Sequence, residues 1–242
     1  MTATALPLPA RPPRPPGSRA VRPRAAASLV LLRKTSDGPA VLMGVRSGAH
    51  RFMPNRLVFP GGRVDAADHR VAFATPPPAS LAQSFGALAT ALAAAAIRET
   101  FEETGLRLAA PAPPGARLPR GAWAPFAAGG VLPAGDALVP LCRLITPSAS
   151  PIRFDARFLL APAERVSGEL RGNGELEFLR WIPLAEAEAL DLALPQRVVL
   201  REVADWLAAD PPARAVRLAP LWRETGPNLV RVPLLLRDRR VG

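Results

Sequence analysis

A run of strong helix formers that ends at Gly105 constrains the fold of this chain more than any other feature. The run begins at about Ser80 or Ser84 and continues to Thr104. Glycine readily adopts the left-handed conformation that ends a helix, so Gly105 is a natural C-cap. The longest uncharged part, Ala87 to Ile97, is mostly Ala and falls short of the roughly 20 apolar residues that span a membrane. We therefore predict one long helix and no membrane-spanning segment.

The last turns of this predicted helix carry three glutamates, Glu99, Glu102 and Glu103. Their spacing places the three carboxylates on one helix face. Like charges at that spacing repel each other, and acidic groups are disfavoured at the negative end of the helix dipole. A bound divalent cation would reverse both effects, and hard oxygen ligands without His or Cys suit Mg²⁺ or Mn²⁺. The alternative is a solvated acidic face with an Arg98–Glu102 ion pair.

Short apolar runs elsewhere in the chain predict β-strands. The predicted strands are Ser28–Arg33, Ala40–Arg46, Leu57–Phe59, Leu106–Leu108, Leu138–Ile145, Arg153–Leu160 and Phe178–Ile182. A turn at residues 36–39 joins the first two as a hairpin, and residues 109–137 are predicted to be loop. Two further predicted helices, Pro183–Leu190 and Pro195–Ala209, each have Pro near the first position. Because strands and helices do not alternate in a βαβ rhythm, the pattern predicts an α+β fold.

The two ends of the chain differ in composition from its middle. Residues 1–25 are rich in Pro, Arg and Ala and lack the apolar stretch of a secretory signal, which predicts a disordered or extended tail. Residues 213–242 have no clear periodicity and are predicted to be an irregular segment. The part between them, residues 26–212, is predicted to form one domain.

The net charge of +11 does not by itself favour a nucleic-acid-binding protein. Residues 1–36 carry +7 of this charge and no acidic residue, and the excess of Arg over Lys is typical of GC-rich coding. A nucleic-acid binder driven by the basic tail is the alternative. The single cysteine, Cys142, allows no internal disulfide, which suits a reducing cytoplasm.

A glycine pair precedes the acidic helix at the point where a predicted strand ends. Phe59-Pro60-Gly61-Gly62 opens the loop that leads to the helix, and glycine lets the backbone approach a ligand closely. Taken alone, Pro-Gly-Gly is simply a turn. Here it is followed by Asp68, six residues after Gly62, and then by the glutamate-rich helix. This order of residues indicates more than a turn.

Together these segments resemble a Nudix box, whose pattern is G-x5-E-x7-R-E-U-x-E-E-x-G-U with U a bulky apolar residue. Gly62 and Asp68 match the first part, with Asp in place of Glu, and residues 98–106 match the second part, with Thr100 at the first U position. The shorter Asp68 could weaken the salt bridge with Arg98. Residues 69–97 number 29 where the family pattern has seven, which indicates an insertion of 22 residues within the box.

The resemblance implies a Nudix fold, with a mixed β-sheet sandwiched between helices and an extended Nudix-box helix. It also implies an enzyme that hydrolyses a diphosphate linkage with the help of Mg²⁺ or Mn²⁺. The implied metal ligands are the carbonyl of Gly61 and the carboxylates of Glu99, Glu102 and Glu103. The implied catalytic residues are Arg98, which would orient the helix by pairing with Asp68 or a Glu, together with Glu102 and Glu103, the latter as a second-metal ligand or base.

Other residues could complete such a site. Family members often add a base or ligand from a loop after the box, and Glu175 and Glu177 follow the turn at residues 172–174. We choose Glu175 because it is nearer the turn, and an exposed loop acid is the alternative. Arg46 and Arg51 could bind a phosphate group, since Arg presents a bidentate fork. The alternative for both is surface arginine, which is abundant in this chain.

Aromatic residues offer a further possibility for substrate binding. Four of them, Trp123, Phe126, Phe154 and Phe158, could stack on a nucleotide base. Large aromatic side chains are more commonly part of a hydrophobic core, so we interpret all four as packing residues. Stacking on a base is the alternative interpretation.

Part of the chain resembles one particular group within the family. The segments Val41–Ser47, Phe52–Pro54, Val58–Gly62 and Asp65–Asp68 resemble the coenzyme A diphosphatases of the peroxisomal nucleoside-diphosphate-linked-moiety-X type, which also carry a long insert inside the box. This resemblance implies coenzyme A or an acyl-coenzyme A as substrate. The alternatives are a pyrophosphatase acting on ADP-ribose, dinucleotides or nucleoside triphosphates, and a non-catalytic Nudix-fold binding module.

The resemblance also implies the partners of the protein. They would be a small-molecule nucleotide-diphosphate substrate, with no membrane and no nucleic acid, and the family also allows a homodimer. The chain ends in Arg240-Val241-Gly242 rather than the Ser-Lys-Leu peroxisome signal, so we expect a cytoplasmic protein.

Overall fold

The computed structural model describes residues 4–10, 19–49, 53–187 and 189–234. The strands in these ranges are β1 Ala5–Pro7, β2 Arg24–Thr35, β3 Gly38–Arg46, β4 Leu57–Val58, β5 Gly61–Arg63, β6 Ala109–Pro111, β7 Val131–Pro133, β8 Val139–Ile145, β9 Phe154–Pro162, β10 Leu176–Pro183, β11 Leu221–Thr225 and β12 Asn228–Val232. The α-helices are α1 Ala79–Phe85, α2 Ala89–Thr104, α3 Leu184–Ala187, α4 Leu194–Ala208 and α5 Pro211–Val216.

Most of the strands form one mixed sheet. Its order is β1-β12-β11-β8-β9-β2-β3-β10, with β4 paired to β3 and β5 paired to β2. The β2–β9 and β8–β11 pairs are parallel, and the remaining pairs are antiparallel. The predicted hairpin is β2–β3, in which Thr35 pairs with Gly38 across the turn. The mixed sheet and its separate helices confirm the predicted α+β class.

Helices cover both faces of this sheet, which explains the nearly continuous apolar sequence of its central strands. Successive side chains of a strand point to opposite faces. Leu29 and Leu31 of β2 therefore belong to the core on the α1 and α2 side. Val30 and Leu32 belong to the core on the α4 side. The two helices α2 and α4 thus lie on opposite faces of the sheet.

Helix α2 is buried nearly all around, as expected for an Ala-rich helix that lies within a domain. The predicted long helix is present, but Gly86, at a φ of 68°, separates α1 from α2, with a short 3-10 turn at Gly86–Leu88. Gly105 has a φ of 75°, and its N–H donates to the carbonyl of Phe101. The predicted C-cap is therefore confirmed.

The segment Ala79–Thr104 is long and apolar enough to cross a membrane by length and composition, and it is the one such helical segment in the ranges described. The core helix of a globular domain meets the same criteria. Here 56% of its most apolar window is buried inside the protein, against the sheet. The apolar surface of this segment is thus largely buried in the hydrophobic core of the domain.

The prediction of a disordered tail over residues 1–25 is wrong for part of that range. Ala5–Pro7 forms β1 and pairs antiparallel with β12, and β2 already begins at Arg24. The physical reason is that β12 provides a free strand edge, while Leu6 and Leu8 pack against the core on the α4 side. Residues 1–3 and 11–18 of the predicted tail lie outside the described residues.

The prediction of an irregular C-terminal segment over residues 213–242 is also wrong as far as residue 232. It contains the end of α5 and the antiparallel hairpin β11–β12, which extends the main sheet by the pairing of β11 with β8. The hairpin is anchored by Trp222, which is fully buried. The side chain of Asp210 caps α5 by accepting the N–H of Ala213. Residues 235–242 lie outside the described part of the chain.

Two smaller boundaries also differ from prediction. The strand expected at Leu106–Leu108 occurs instead at Ala109–Pro111, where β6 pairs with β7 in a separate two-stranded sheet. This pairing lies within residues 109–137, which were expected to be loop. The helix expected at Pro183–Leu190 is described only for Leu184–Ala187, because β10 continues to Pro183. Both differences arise from backbone pairing between segments that are distant in sequence.

Candidate functional site

A cavity of about 490 Å³ lies beside the C-terminal turns of α2. It is bounded by β5 and by the side of β2, β8 and β9 that faces α4. All three glutamates of the acidic helix line it, together with Gly61 and Gly62. The cavity therefore collects the residues that the sequence analysis singled out, although they come from separate elements.

Arg98 is the centre of a buried hydrogen-bond cluster at the cavity. Its Nε and Nη2 donate to the two carboxylate oxygens of Asp68, at 2.9 and 3.0 Å. Its Nη1 donates to both Glu99 and Glu102, at 3.0 Å each. These contacts hold the pKa of Arg98 well above its ordinary value despite the opposing effect of burial. The predicted pairing of Arg98 with Asp68 is thus present and bidentate, so the shorter side chain does not prevent it.

Asp68 itself is fixed by more than its contact with Arg98. The carboxylate is fully buried. It accepts hydrogen bonds from the backbone N–H of Asp65, at 2.8 Å, and from the Nε1 of Trp123, at 3.1 Å. Each of its oxygens therefore has two donors, which is what a buried carboxylate requires. Asp68 holds Arg98, and Arg98 in turn orients Glu99 and Glu102.

Glu103 lies deeper than the other two glutamates and has a different partner. Its side chain is buried, and its Oε2 accepts the backbone N–H of Gly61 at 2.8 Å. Burial raises the pKa of Glu103 to about 8, although the hydrogen bond from Gly61 and the charge of Arg46 act in the opposite direction. Burial likewise raises the pKa of Glu99 to about 7, against the effect of Arg98. Burial therefore outweighs the neighbouring positive charges at both carboxylates.

The glycine pair allows the close approach of β5 to its neighbours. A Cβ atom on Gly62 would lie 2.2 Å from the Oε1 of Glu99. A Cβ atom on Gly61, whose φ is 156°, would lie 2.2 Å from the Oγ of Ser28. At Gly61 a Cβ would also meet backbone atoms of Ala27 and Ser28, so this position requires glycine, whereas at Gly62 a Cβ would displace the carboxylate of Glu99.

The chemistry of these donors fits a divalent cation. Carboxylate oxygens and backbone carbonyls are the ligands that Mg²⁺ and Mn²⁺ prefer. Burial raises the pKa of Glu99 and Glu103, and a cation beside them would favour their charged forms. In their present positions the carboxylates bind Arg98 and Gly61, and among the described residues no group of three or more His, Cys, Asp or Glu is arranged so that it could hold a metal ion.

The structure distinguishes between the two predicted phosphate-binding arginines. Arg46, the last residue of β3, lines the cavity. Its Nε is buried and has no hydrogen-bond partner, so a donor remains available for a ligand. Arg51 lies outside the described residues.

The structure also distinguishes between Glu175 and Glu177. Glu175 lines the cavity, and its charge contributes to raising the pKa of Glu103. The side chain of Asn173 accepts the N–H of Glu175 at 2.8 Å, which holds the turn before β10. Glu177 is not among the residues that line the cavity. Of the two, Glu175 is the one that reaches the cavity, and its role as a further ligand or base stays a prediction.

The four aromatic residues divide into two pairs. Trp123 and Phe126 are buried in the core on the α2 side, in edge-to-face contact with ring centroids 5.1 Å apart. Phe154 and Phe158 line the cavity, and Phe158 makes an edge-to-face contact with Phe59 at 6.5 Å. Phe158 is also buried, in the core on the α4 side, so the packing interpretation holds for Trp123, Phe126 and Phe158, whereas Phe154 is only half-buried.

Sequence reasoning missed a polar residue on α4, the helix on the opposite face of the sheet from α2. Gln196, in the first turn of α4, lines the cavity and is buried. The sequence gives no local signal for it, because a glutamine near a helix start is ordinarily solvated. Only the packing of α4 against β8 brings it to the cavity.

The fold and the cavity define a class of protein: an α+β domain in which an acidic helix end contacts a glycine-containing strand beside a ligand-sized cavity. Comparison with known proteins agrees. The NUDIX domain family model matches residues 22–206, about three quarters of the chain. The chain therefore belongs to the Nudix family, and the predicted family of hydrolases is confirmed together with its fold.

Individual relatives support the same family. The "Putative nudix hydrolase 7" of Caenorhabditis elegans is 41% identical over 83 residues, which are 34% of this chain and 22% of that protein. The match thus spans less than a quarter of the relative's length. The crystal structure of a NUDIX hydrolase from Alicyclobacillus acidocaldarius superposes with a TM-score of 0.61 at 28% identity, covering 82% of this chain and 97% of that one.

Proposed function

We propose that this protein catalyses the metal-dependent hydrolysis of a diphosphate linkage in a nucleoside-diphosphate-linked compound. The observation that carries the proposal is the convergence of Glu99, Glu102 and Glu103 on one cavity that also contains Arg46. Without a cation, three carboxylates would repel a diphosphate, whereas with Mg²⁺ or Mn²⁺ the same cluster attracts it. The unpaired Nε of Arg46 adds a donor for a phosphate oxygen.

We assign the cation to the carboxylates of Glu99, Glu102 and Glu103 and the carbonyl of Gly61. A divalent cation at this position neutralises diphosphate oxygens and lowers the pKa of the attacking water. Arg98 contributes indirectly, because its two Nη1 contacts hold Glu99 and Glu102 on the cavity side of the helix. Asp68 is the group that keeps Arg98 in place.

In the proposed reaction, water attacks one phosphorus atom of the P–O–P linkage. The new bond from the water oxygen to phosphorus forms as the bond to the bridging oxygen breaks, and two phosphorylated products result. Glu103 is assigned as a second cation ligand or as the base that takes the proton of the water. Glu175, in the same cavity, is the candidate for an additional base or ligand.

Coenzyme A or an acyl-coenzyme A is our proposed substrate, on the strength of the sequence resemblance and of the insertion at residues 69–97. The insertion contributes no residue to the lining of the cavity. Its helical part instead supplies Leu81, Phe85 and Leu92 to the core on the α2 side. The insertion therefore supports α2 and the carboxylates at its end rather than contacting the substrate.

A substrate panel with Mg²⁺ and Mn²⁺ tests the proposal. The panel contains coenzyme A, acetyl-coenzyme A, ADP-ribose, NADH, diadenosine polyphosphates and nucleoside triphosphates, and products are identified by mass. We expect metal-dependent release of 3′,5′-ADP and phosphopantetheine from coenzyme A. Cleavage of a different diphosphate would retain the reaction and reject the substrate. Absence of any cleavage, with Mg²⁺ binding still detected, would favour a non-catalytic binding module.

A further inference from the structure

The Oε1 of Gln196 has no hydrogen-bond partner in the described part of the chain, although the residue lies in the wall of the cavity. Its residue is 5% exposed, and its Oε1 is buried without a partner among the described residues. Buried amide groups in proteins are nearly always hydrogen-bonded, because leaving one unpaired is unfavourable. An unpaired amide that lines a ligand-sized cavity is therefore a candidate for a contact with the ligand itself.

The surroundings of Gln196 differ from those of the glutamates. The residues that the β8–β9 hairpin and α4 contribute to the cavity carry no charge, and they include Leu144, Thr146, Phe154, Phe158, Pro195 and Gln196. The basic residues of the lining, Arg46, Arg63 and Arg98, all come from β3, β5 and α2. The phosphates of a ligand belong with the charged elements, and the neutral aromatic part suits a flat apolar ring.

We propose that Gln196 is a specificity-determining residue that binds the adenine edge of the substrate, with the ring packed beside Phe154 and Phe158. A carboxamide offers one acceptor and one donor side by side, and adenine presents the complementary pair in its 6-amino group and N7. This inference rests on the proposed function for the identity of the substrate. It concerns recognition of the base and not the cleavage step.

The test measures binding without catalysis. Adenosine and purine riboside, which lacks only the 6-amino group, are titrated into the protein in EDTA and followed by ligand-detected NMR. We expect adenosine to bind the wild-type protein about tenfold more tightly than purine riboside, as loss of one hydrogen bond inside a buried site implies. In Gln196→Met, which keeps the length of the side chain, the two nucleosides should bind equally.

Arg197→Met is the matched control, because Arg197 is the next residue of the same turn and is exposed. It should retain the tenfold preference. Unfolding of Gln196→Met should occur at the wild-type temperature or higher, since the substitution removes an unpaired buried amide. With adenine-containing substrates, Gln196→Met should raise KM and leave kcat unchanged.

The outcomes separate this inference from the proposed hydrolysis. A preference for adenosine that persists in Gln196→Met, or a wild-type protein that binds the two nucleosides equally, would overturn the role of Gln196 even if the enzyme cleaves coenzyme A. A preference that is lost in Gln196→Met would support the role even if no diphosphate in the panel is cleaved.

Discussion

Two of the buried ion clusters in the described part of the chain differ in sign and in surroundings. The Arg98 cluster combines one arginine with Asp68, Glu99 and Glu102, so that acidic groups are in excess. The Glu202 cluster combines one fully buried glutamate with Arg217 and Arg231, so that basic groups are in excess. The first lines the cavity, whereas no member of the second does.

Hydrogen bonding explains why only one of the two clusters is suited to chemistry. Glu202 also accepts a hydrogen bond from the Nε1 of Trp222 at 2.8 Å. The donors to its two oxygens, Arg217, Trp222 and Arg231, all belong to the C-terminal region after α4. It thereby ties the hairpin β11–β12 to α4. In the Arg98 cluster the carboxylates outnumber the cation and adjoin a cavity, so a ligand of positive charge can still be added. The comparison teaches that unbalanced charge at a cavity, rather than burial of charge alone, marks the functional cluster.

The largest expected effect comes from removing carboxylate charge at the cavity. Glu102→Gln and Glu103→Gln should each lower turnover by about 10²-fold or more, because each removes a proposed ligand or base while retaining the shape of the side chain. Turnover is measured with the best substrate of the panel, and circular dichroism checks the fold. The exposed Glu164→Gln is the control and should retain full activity. Turnover that survives both substitutions would refute the assignment of the cation site.

The same substitution in the other cluster should affect stability and not chemistry. Glu202→Gln leaves two arginines beside Trp222 without their counter-charge, and breaking a buried ion pair in this way costs about 3 kcal/mol or more. Urea unfolding measures the loss, and kcat of the folded fraction should stay at the wild-type value. Asp205→Asn, an exposed change on the same helix, should alter stability little. A fall in kcat that exceeds the loss of folded protein would contradict the contrast between the clusters.

A smaller effect is expected from Gly62→Ala. The added methyl would lie 2.2 Å from the Oε1 of Glu99, so this carboxylate must move away from Arg98. Misplacement of a catalytic group by about 1 Å can lower the reaction rate roughly 10²-fold. We therefore expect turnover to fall by between about tenfold and about 10²-fold. Gly115→Ala is the control, since the same substitution there meets open space and displaces no neighbouring side chain. If Gly62→Ala retained wild-type turnover, precise placement of Glu99 would not matter for the reaction.

The smallest expected effect is on the pH dependence of stability in the absence of metal. The pKa values of Glu99 and Glu103 are raised from 4.5 to about 7 and about 8, so the folded protein retains protons that the unfolded chain has released. Stability in EDTA should therefore fall as pH rises through this window. Cation ligands must be deprotonated, so the stabilisation by Mg²⁺ should grow over the same window. Thermal unfolding with and without Mg²⁺ measures both, and Glu103→Gln should flatten the two profiles.

Much of the local structure near the site could be predicted from sequence, because its signals are local. The helix up to Thr104, its cap at Gly105 and the hairpin β2–β3 follow from residue propensities within a few positions. The pairing of Arg98 with Asp68 came from the family pattern. These predictions concern residues whose neighbours in the fold are close in sequence or are linked by a known motif.

The parts that could not be predicted depend on contacts between distant segments. The strands β1, β11 and β12 are short and have no strong pattern of their own, and they form only because each pairs with another edge. The same holds for Gln196, which reaches the cavity through the packing of α4. Short strands contribute little until a partner supplies the hydrogen bonds, so propensity alone underestimates them.

The sequence by itself determined the proposed site residues: an acidic helix end, a glycine pair, and an arginine between acids. Their types and spacing specify a family because the requirements of a cation and a close backbone approach are met by few residue types. Only the tertiary structure decided which acids line a common cavity, which arginine at that cavity is left with an unpaired donor, and which aromatic residues line it. Those properties depend on which face of each strand and helix is buried by a neighbouring element. That burial results from packing between elements that are far apart in the chain.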